Sequence, residues 1–424
     1  MMLTRILLTV VTAGASLASF AAYALLLRYL GASADLDQLF YAGSLPVAVS
    51  GMLAGVLAYL LPPRLTRISY RHQDTVTRAL SLLVAGATAI AIAVGLASFA
   101  AQPAQCRFWL LWIGFALFAG LSLLVSVLSC LAQARGDYIA TGWAPLAMSG
   151  GLFTGAMVAI TTRQVWWLLL WQLAGGFVAL QWLAWRLPLN WRGLSGQRRQ
   201  ALAALRSLRA SALPITLGTA AFTLFQPLDA WLCRPLGEGS LTTMSFAQRV
   251  LVAVSTVISL GAYVIAAKTS RDTLRTGGVG ALLCQANREA MRLVSAGLLA
   301  VVAYVIGGRW VLGLLLESSS LHSADLDRLL DTIGWMLVGV GPMAAMPYLC
   351  RVFYSMKSYV VPAALGVAVP VAYVALGWLL SRSLDVKGLA FSYAIVWWLA
   401  LAIALFAVNS RSRYNSNRLT LPKT

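Results

Sequence analysis

The stretch Leu30-Gly31-Ala32-Ser33-Ala34-Asp35-Leu36-Asp37-Gln38-Leu39-Phe40-Tyr41-Ala42-Gly43-Ser44-Leu45-Pro46 is a polar turn between two long apolar runs, and a version of it returns in the second half of the chain. The later copy reads Leu236-Gly237, then Ser245-Phe246-Ala247-Gln248-Arg249-Val250-Leu251. Gly31 and Ala42 are eleven residues apart, Gly237 and Ala247 ten. A second match pairs Cys130…Arg135…Tyr138 with Cys350…Lys357…Tyr359. Each recurrence falls six apolar spans after its first copy. Two matches in register indicate a parallel 6+6 repeat, with halves related by an axis along the membrane normal and a site between them, which is a transporter architecture.

The runs that frame these turns decide the class. Of the 424 residues 60% are hydrophobic and 11% charged, whereas a soluble chain carries about a quarter charged. Twelve apolar runs are each long enough to cross a hydrocarbon core of about 30 Å. They lie near 6–30, 39–62, 78–101, 108–132, 142–161, 164–187, 211–233, 241–266, 290–315, 329–350, 359–382 and 387–408. The expected fold is an all-α polytopic membrane protein with about twelve transmembrane helices, in two pseudo-symmetric six-helix lobes around a central cavity. The lobes are 1–187 and 211–408, joined by a basic linker at 188–210 and followed by a basic tail at 409–424. The connections leave no room for a soluble catalytic domain, so the chain is read as a non-enzyme.

Arg5, the apolar stretch after it and the small residues between Ala13 and Ala22 have the outline of a secretory signal. The run reaches Leu30, longer than such a core, and it opens the first repeat, so it is read as a true first span.

Charge gives orientation. Lys and Arg number 32, Asp and Glu 13, for a net charge of +19. Alternating the loops puts 23 of those cations on one side with four acids, Asp74, Asp137, Asp272 and Glu289. By the positive-inside rule that side is cytoplasmic, and both termini lie there, in a bacterial inner membrane. The charge excess is thereby explained without nucleic acid; a basic rim also attracts anionic lipid headgroups or phosphate-bearing substrates. In the linker, Arg192, Arg199, Arg206 and Arg209 alternate with Leu202, Leu205 and Leu208 as in an interfacial amphipathic helix.

Ionisable groups in or beside spans are costly and are candidates for substrate binding or gating. Arg28 and Asp37 flank the first-half turn. Asp229 lies near the outer end of span seven, with Gln248 and Arg249 in span eight; Asp229 and Arg249 form either a structural ion pair, a gate or a proton or cation site. Arg135, Arg351 and Lys357 end cytoplasmic helices, where they either receive a phosphate or stop transfer. Pro46, Pro145, Pro214, Pro227, Pro342, Pro347, Pro362 and Pro370 interrupt spans, and Gly51-x3-Gly55 and Gly151-x3-Gly155 allow close helix contact. Trp166, Trp167, Trp171, Trp397 and Trp398 read mostly as an interfacial belt. Two His and five scattered Cys offer no metal site, and no cofactor is expected. No GxxxxGK[ST] loop occurs, which points to coupling through protons, sodium or the membrane potential.

At these residues the chain resembles a known family. Leu213-Pro214-Ile215-x-Leu217-Gly218, Gln226-Pro227-Leu228-Asp229, Gly239-Ser240 and Phe246-Ala247-Gln248-Arg249-Val250 are similar to the seventh and eighth helices of the MurJ/MviN-type lipid II flippases. These belong to the multidrug/oligosaccharidyl-lipid/polysaccharide exporter superfamily. The resemblance extends through Gly31-Ala32, Asp37 to Ala42 and Pro46, and later through Arg351 to Ser355 and Gly388-Leu389-Ala390. It implies a two-lobed, V-shaped carrier that moves an undecaprenyl-diphosphate-linked saccharide to the outer leaflet by alternating access. Its partners would be that lipid-linked glycan, membrane lipids and glycan-synthesis enzymes, with no nucleic acid. Asp37 and Asp229 match acidic positions of the family and Arg249 a basic one. The chain departs from the family where 13–24 carries no charge, at Ser50 and Ala230 in place of basic residues, and in ending after twelve spans. A related exopolysaccharide precursor therefore stands beside lipid II as the substrate. A cation-coupled multidrug exporter and a non-transporting scaffold for glycan synthesis are the alternatives.

Overall fold

A computed structural model describes residues 2–66, 68–187, 212–317, 323–356 and 358–419. The expected amphipathic linker helix and Lys357 lie outside the described residues. Within them the regular structure is helical throughout, which suits a chain in hydrocarbon because a helix satisfies its backbone groups internally. The helices are α1 (Met2–Leu30), α2 (Ala34–Leu65), α3 (Tyr70–Ala101), α4 (Cys106–Ala134), α5 (Tyr138–Thr162) and α6 (Trp166–Arg186). They continue as α7 (Ala212–Thr223), α8 (Phe225–Cys233), α9 (Ser240–Ala303), α10 (Arg309–Leu316), α11 (Ser323–Leu337), α12 (Val340–Ser355) and α13 (Val360–Leu419).

Among the described residues, nine helical segments are long and apolar enough to cross a membrane, α9 supplying parts of two on either side of its break at Gly278 (φ 70°, ψ −170°), and the number is ten if a bent pair counts as one span. The twelve expected runs all fall on helix; the difference lies in where helices break or fuse. Span seven is split at Leu224 into α7 and α8, just before Pro227, which has no N–H to donate to the Thr223 carbonyl. Span ten is the pair α11 and α12, bent by 41°. The last two spans form one apolar stretch, Val360–Ser410, of 51 residues. At about 1.5 Å per residue that is more than twice the hydrocarbon thickness, so it accommodates two crossings, and its helix is broken at Asp385 (φ 55°, ψ −141°).

The chain divides into two compact units. The first is drawn chiefly from Met1–Trp231 with Gly237–Thr242, the second from Thr243–Glu317 and the helices after it. In the first unit α4 is central and packs on α2, α3, α5 and α6, while α1 and α6 pack on α5. α1 packs on α5 through contacts that include a Ser19–Ser149 hydroxyl bond of 3.0 Å, and its Ala22, Leu26 and Leu27 are buried, which makes it an integral part of the unit. Both glycine pairs pack helices closely. A Cβ on Gly151 would lie 2.9 Å from the Cα of Gly175 on α6, and one on Gly55 3.3 Å from the Thr219 methyl on α7. The core toward the α2–α3 and α4–α5 turns gathers Leu61, Leu65, Val125, Leu128, Leu131, Ala179 and Leu183.

In the second unit α11 and α12 pack on α13. Its core includes Trp397, Tyr373, Phe353, Met336 and Leu349. Trp397 is fully buried, and the Trp398 indole N–H donates to the Val338 carbonyl at 3.0 Å. These two tryptophans serve the core rather than the interfacial belt. Trp166, stacked on Trp167 at 4.2 Å, and Trp171 are exposed, as a belt requires.

Candidate functional site

The two turns of the sequence repeat share a conformation. Gly31 and Gly237 both have positive φ (68° and 88°), and a helix begins three residues after each, at Ala34 and Ser240. They also touch within the first unit. Asp37 sits in the first turn of α2, where its N–H donates to the Ser33 carbonyl at 3.0 Å. Its carboxylate turns to the start of α9. One oxygen accepts from the Gly239 N–H at 2.7 Å; the other accepts from the Thr242 N–H at 2.7 Å and the Thr242 hydroxyl at 2.5 Å. The N–H groups of a first helical turn have no intrahelical partner and carry partial positive charge, so a carboxylate there is both a hydrogen-bond cap and a dipole match. Gly239 allows the approach in two ways. Its φ of 77° disfavours a side chain, and a Cβ would lie 2.9 Å from the Ala32 carbonyl oxygen.

Asp229 lies in the same unit on α8 and is buried, at 2% exposure. Arg28, in the last turn of α1, is half-buried with its guanidinium 6.0 Å from the Tyr29 ring centroid. Gln248 and Arg249 are half-buried on α9 in the second unit, and Arg351 is half-buried on α12.

Arg135 is engaged with side chains of its own unit. It ends α4 as the C-cap, and its guanidinium meets the Asp74 carboxylate at 2.5 Å with both side chains only 17% and 16% exposed. Arg135 also donates to the Gln73 side-chain oxygen at 3.4 Å and stands 5.6 Å from the Tyr70 ring centroid. The amide of Gln73 in turn donates to the Leu65 carbonyl at 2.9 Å and the Ile68 carbonyl at 3.3 Å, closing the α2–α3 turn. Two residues on, Asp137 caps α5 by accepting from the Ala140 N–H and pairs with Arg186 at 3.0 Å. This chain of contacts ties the ends of α2 to α6 together. A phosphate would have to displace Asp74 to reach Arg135.

A cluster in the second unit was not singled out by sequence. Asp331 on α11 binds both Arg309 at the start of α10 and Lys387 on α13, the latter at 2.6 Å. Arg309 also reaches Asp327 at 3.2 Å, and Arg328 pairs with Asp385 at the break of α13. The only sequence signal was their acidic and basic character at span edges, without any indication of pairing. Among the described residues no group of His, Cys, Asp and Glu is arranged to hold a metal.

The sequence profile of the family described as "Lipid II flippase MurJ" matches residues 26–421. No curated protein matches the chain by sequence. Among solved structures, one described as lipid II flippase MurJ in an inward closed conformation is 14% identical, with a TM-score of 0.75 over 95% of this chain and 87% of that one. An inward-facing multidrug resistance MATE family transporter of the MOP superfamily is also 14% identical, with a TM-score of 0.75 over 98% and 99%. A MOP superfamily transporter from Pyrococcus furiosus is 14% identical, with a TM-score of 0.69 over 97% and 95%. At these identities the structural likeness establishes the fold.

Proposed function

The chain belongs to the lipid II flippase MurJ family, and from that premise we propose that it moves an undecaprenyl-diphosphate-linked saccharide from the cytoplasmic to the outer leaflet of a bacterial inner membrane. The substrate is lipid II or a related cell-envelope or exopolysaccharide precursor. The carrying observation is the family match from residue 26 to 421, which takes in nearly every span. The reading is physically coherent. A diphosphate headgroup cannot enter hydrocarbon without replacement of its hydration, and a polytopic helical carrier can line a polar path for it. The chain moves its substrate without chemistry, faces the cytoplasm with both termini, and draws on protons, sodium or the membrane potential. Glycan-synthesis enzymes supply or consume the substrate beside it.

In this scheme the Asp37 clasp holds together the two turns that the repeat makes equivalent. The test is depletion of the chain, followed by an assay of outer-leaflet accessibility of polyprenyl-linked saccharide. Exposure falls if the reading is right, and unchanged exposure sinks it. Replacing Asp37 with Ala is expected to lower the rate several-fold while the protein still accumulates in the membrane. Loss of drug efflux in place of saccharide exposure on depletion would turn the reading to an exporter.

A further inference from the structure

Between α9 and α10 the helix carries a π turn, Tyr304–Gly308, in which one residue more than an α turn holds is accommodated. The turn faces outward with little around it. Val305 and Ile306 are 72% and 80% exposed, and a Cβ on Gly307 would meet no atom within 4 Å. Its first residue is pinned. The buried Tyr304 hydroxyl donates to the Leu330 carbonyl of α11 at 2.6 Å, and its ring lies over Gly334, where a Cβ would be 3.3 Å away. The residue after the turn is Arg309, which Asp331 and Asp327 hold.

The geometry has a strict consequence. A π turn takes up one extra residue, so every residue after it stands about 100° round the axis from its place on an uninterrupted α-helix. If the turn relaxed to α with α9 held fixed, Gly308 would take the place of Arg309 opposite Asp331, and Leu315 would take the inward place of Leu316. With α9 held fixed, the ion pair with Asp331 therefore belongs to the π register. Asp331 also holds Lys387, two residues past the left-handed Asp385 that Arg328 secures. One helix, α11, thus clamps two irregular stretches of backbone, the π turn and the break of α13.

We propose that the Tyr304–Gly308 turn is a register switch, held in its π state by Asp331 and released to α during the transport cycle. Release turns α10 by one residue and frees Asp331 to stay with Lys387 alone. This rests on the flippase reading for its role in transport, and the register itself is tested without reference to transport.

Leu315→Cys and Leu316→Cys are introduced singly in the full chain, and thiol labelling in membranes is read peptide by peptide with mass spectrometry. Position 315 is 51% exposed and 316 fully buried, so a small membrane-permeant maleimide, which reaches lipid-facing as well as water-facing thiols, labels the first and spares the second. In an Asp331→Asn background the protection passes from 316 to 315. Arg309→Gln, which leaves Asp331 paired with Lys387, gives the same exchange and guards against misfolding of the first variant. Deletion of Gly307 fixes the α state while keeping Arg309 and Leu316 in register. It leaves 316 protected, and saccharide flipping falls at least tenfold although the chain accumulates normally. Protection that stays at 316 in both charge variants overturns the switch, as does normal flipping after deletion of Gly307. If flipping is unaffected by complete depletion of the chain while the protection still exchanges, the transport reading fails and the register switch stands.

Discussion

In the first unit the ion pair Arg135–Asp74 lies inside the helix ends, with both side chains under one-fifth exposed. In the second, Asp331 is 30% exposed and its partners Arg309 and Lys387 are 44% and 40% exposed. The backbone they serve differs as well. Arg135 and the nearby Asp137 sit at the regular ends of α4 and α5, a C-cap and an N-cap. Arg309, Asp385 and Lys387 sit at a π turn and a left-handed break. A shielded network on regular backbone is a scaffold. A wetter network on irregular backbone holds a conformation that has a near neighbour, and can let it go.

The strongest way to break this contrast is Asp74→Ala. It strands the Arg135 guanidinium in a site with little access to water. Breaking a fully buried pair costs about 3–5 kcal/mol, and the partial exposure here reduces that to about 2–4 kcal/mol. Thermal unfolding of the purified full chain in detergent should show a clear fall in Tm. The double variant with Arg135→Ala should recover part of it, since no charge is then left without a partner. A fall no larger than that of a surface pair would remove the scaffold reading.

Asp331→Ala is expected to cost less, about 1 kcal/mol, because Arg309 and Lys387 can turn to solvent. Its stability effect should therefore be smaller than that of Asp74→Ala while its effect on transport is larger. If the two variants rank the same way in both measurements, the units do not differ in the manner described.

Much of this architecture is legible in the sequence, and the remainder is hidden for physical reasons. Span positions follow from apolar runs because a membrane imposes length and composition together. Breaks inside those runs carry no such mark. The break at Asp385 falls in the gap between the runs 359–382 and 387–408 and so is marked, whereas the Tyr304–Gly308 turn lies inside a run and is set by contacts with α11, which no local pattern reports. The turn after span four and the turn after span ten do match. The Asp137 N–H bonds to the Ala132 carbonyl and the Ser358 N–H to the Phe353 carbonyl, both at 2.9 Å. That register sets Tyr138 opposite Tyr359 as expected, but places Cys130 opposite Arg351, so the two cysteines matched by type are one residue out. Asp37 was legible as a costly acid at a turn. Its partners were not, since two of its three donors are backbone N–H groups far along the chain, and a backbone group has no sequence signature. The pairing of Asp74 with Arg135 was hidden in the same way, by distance along the chain.

The smallest expected effect comes from the other acid of the turn that opens α2. Asp35 and Asp37 lie in one helical turn, yet Asp37 is enclosed by three donors from the start of α9, whereas Asp35 pairs with Arg107 at 2.9 Å with side chains 53% and 55% exposed. Solvent and salt already screen such a pair, and ordering two side chains offsets most of what the Coulomb attraction contributes. Arg107→Ala should therefore change stability by no more than about 0.5 kcal/mol. The shift in Tm should stay within the scatter of replicate melts, and added salt should leave wild type and variant alike. A loss comparable to that of Asp74→Ala would mean that burial of the charged groups is not what separates the scaffold from the rest, and the contrast between the two units would have to rest on their backbones alone.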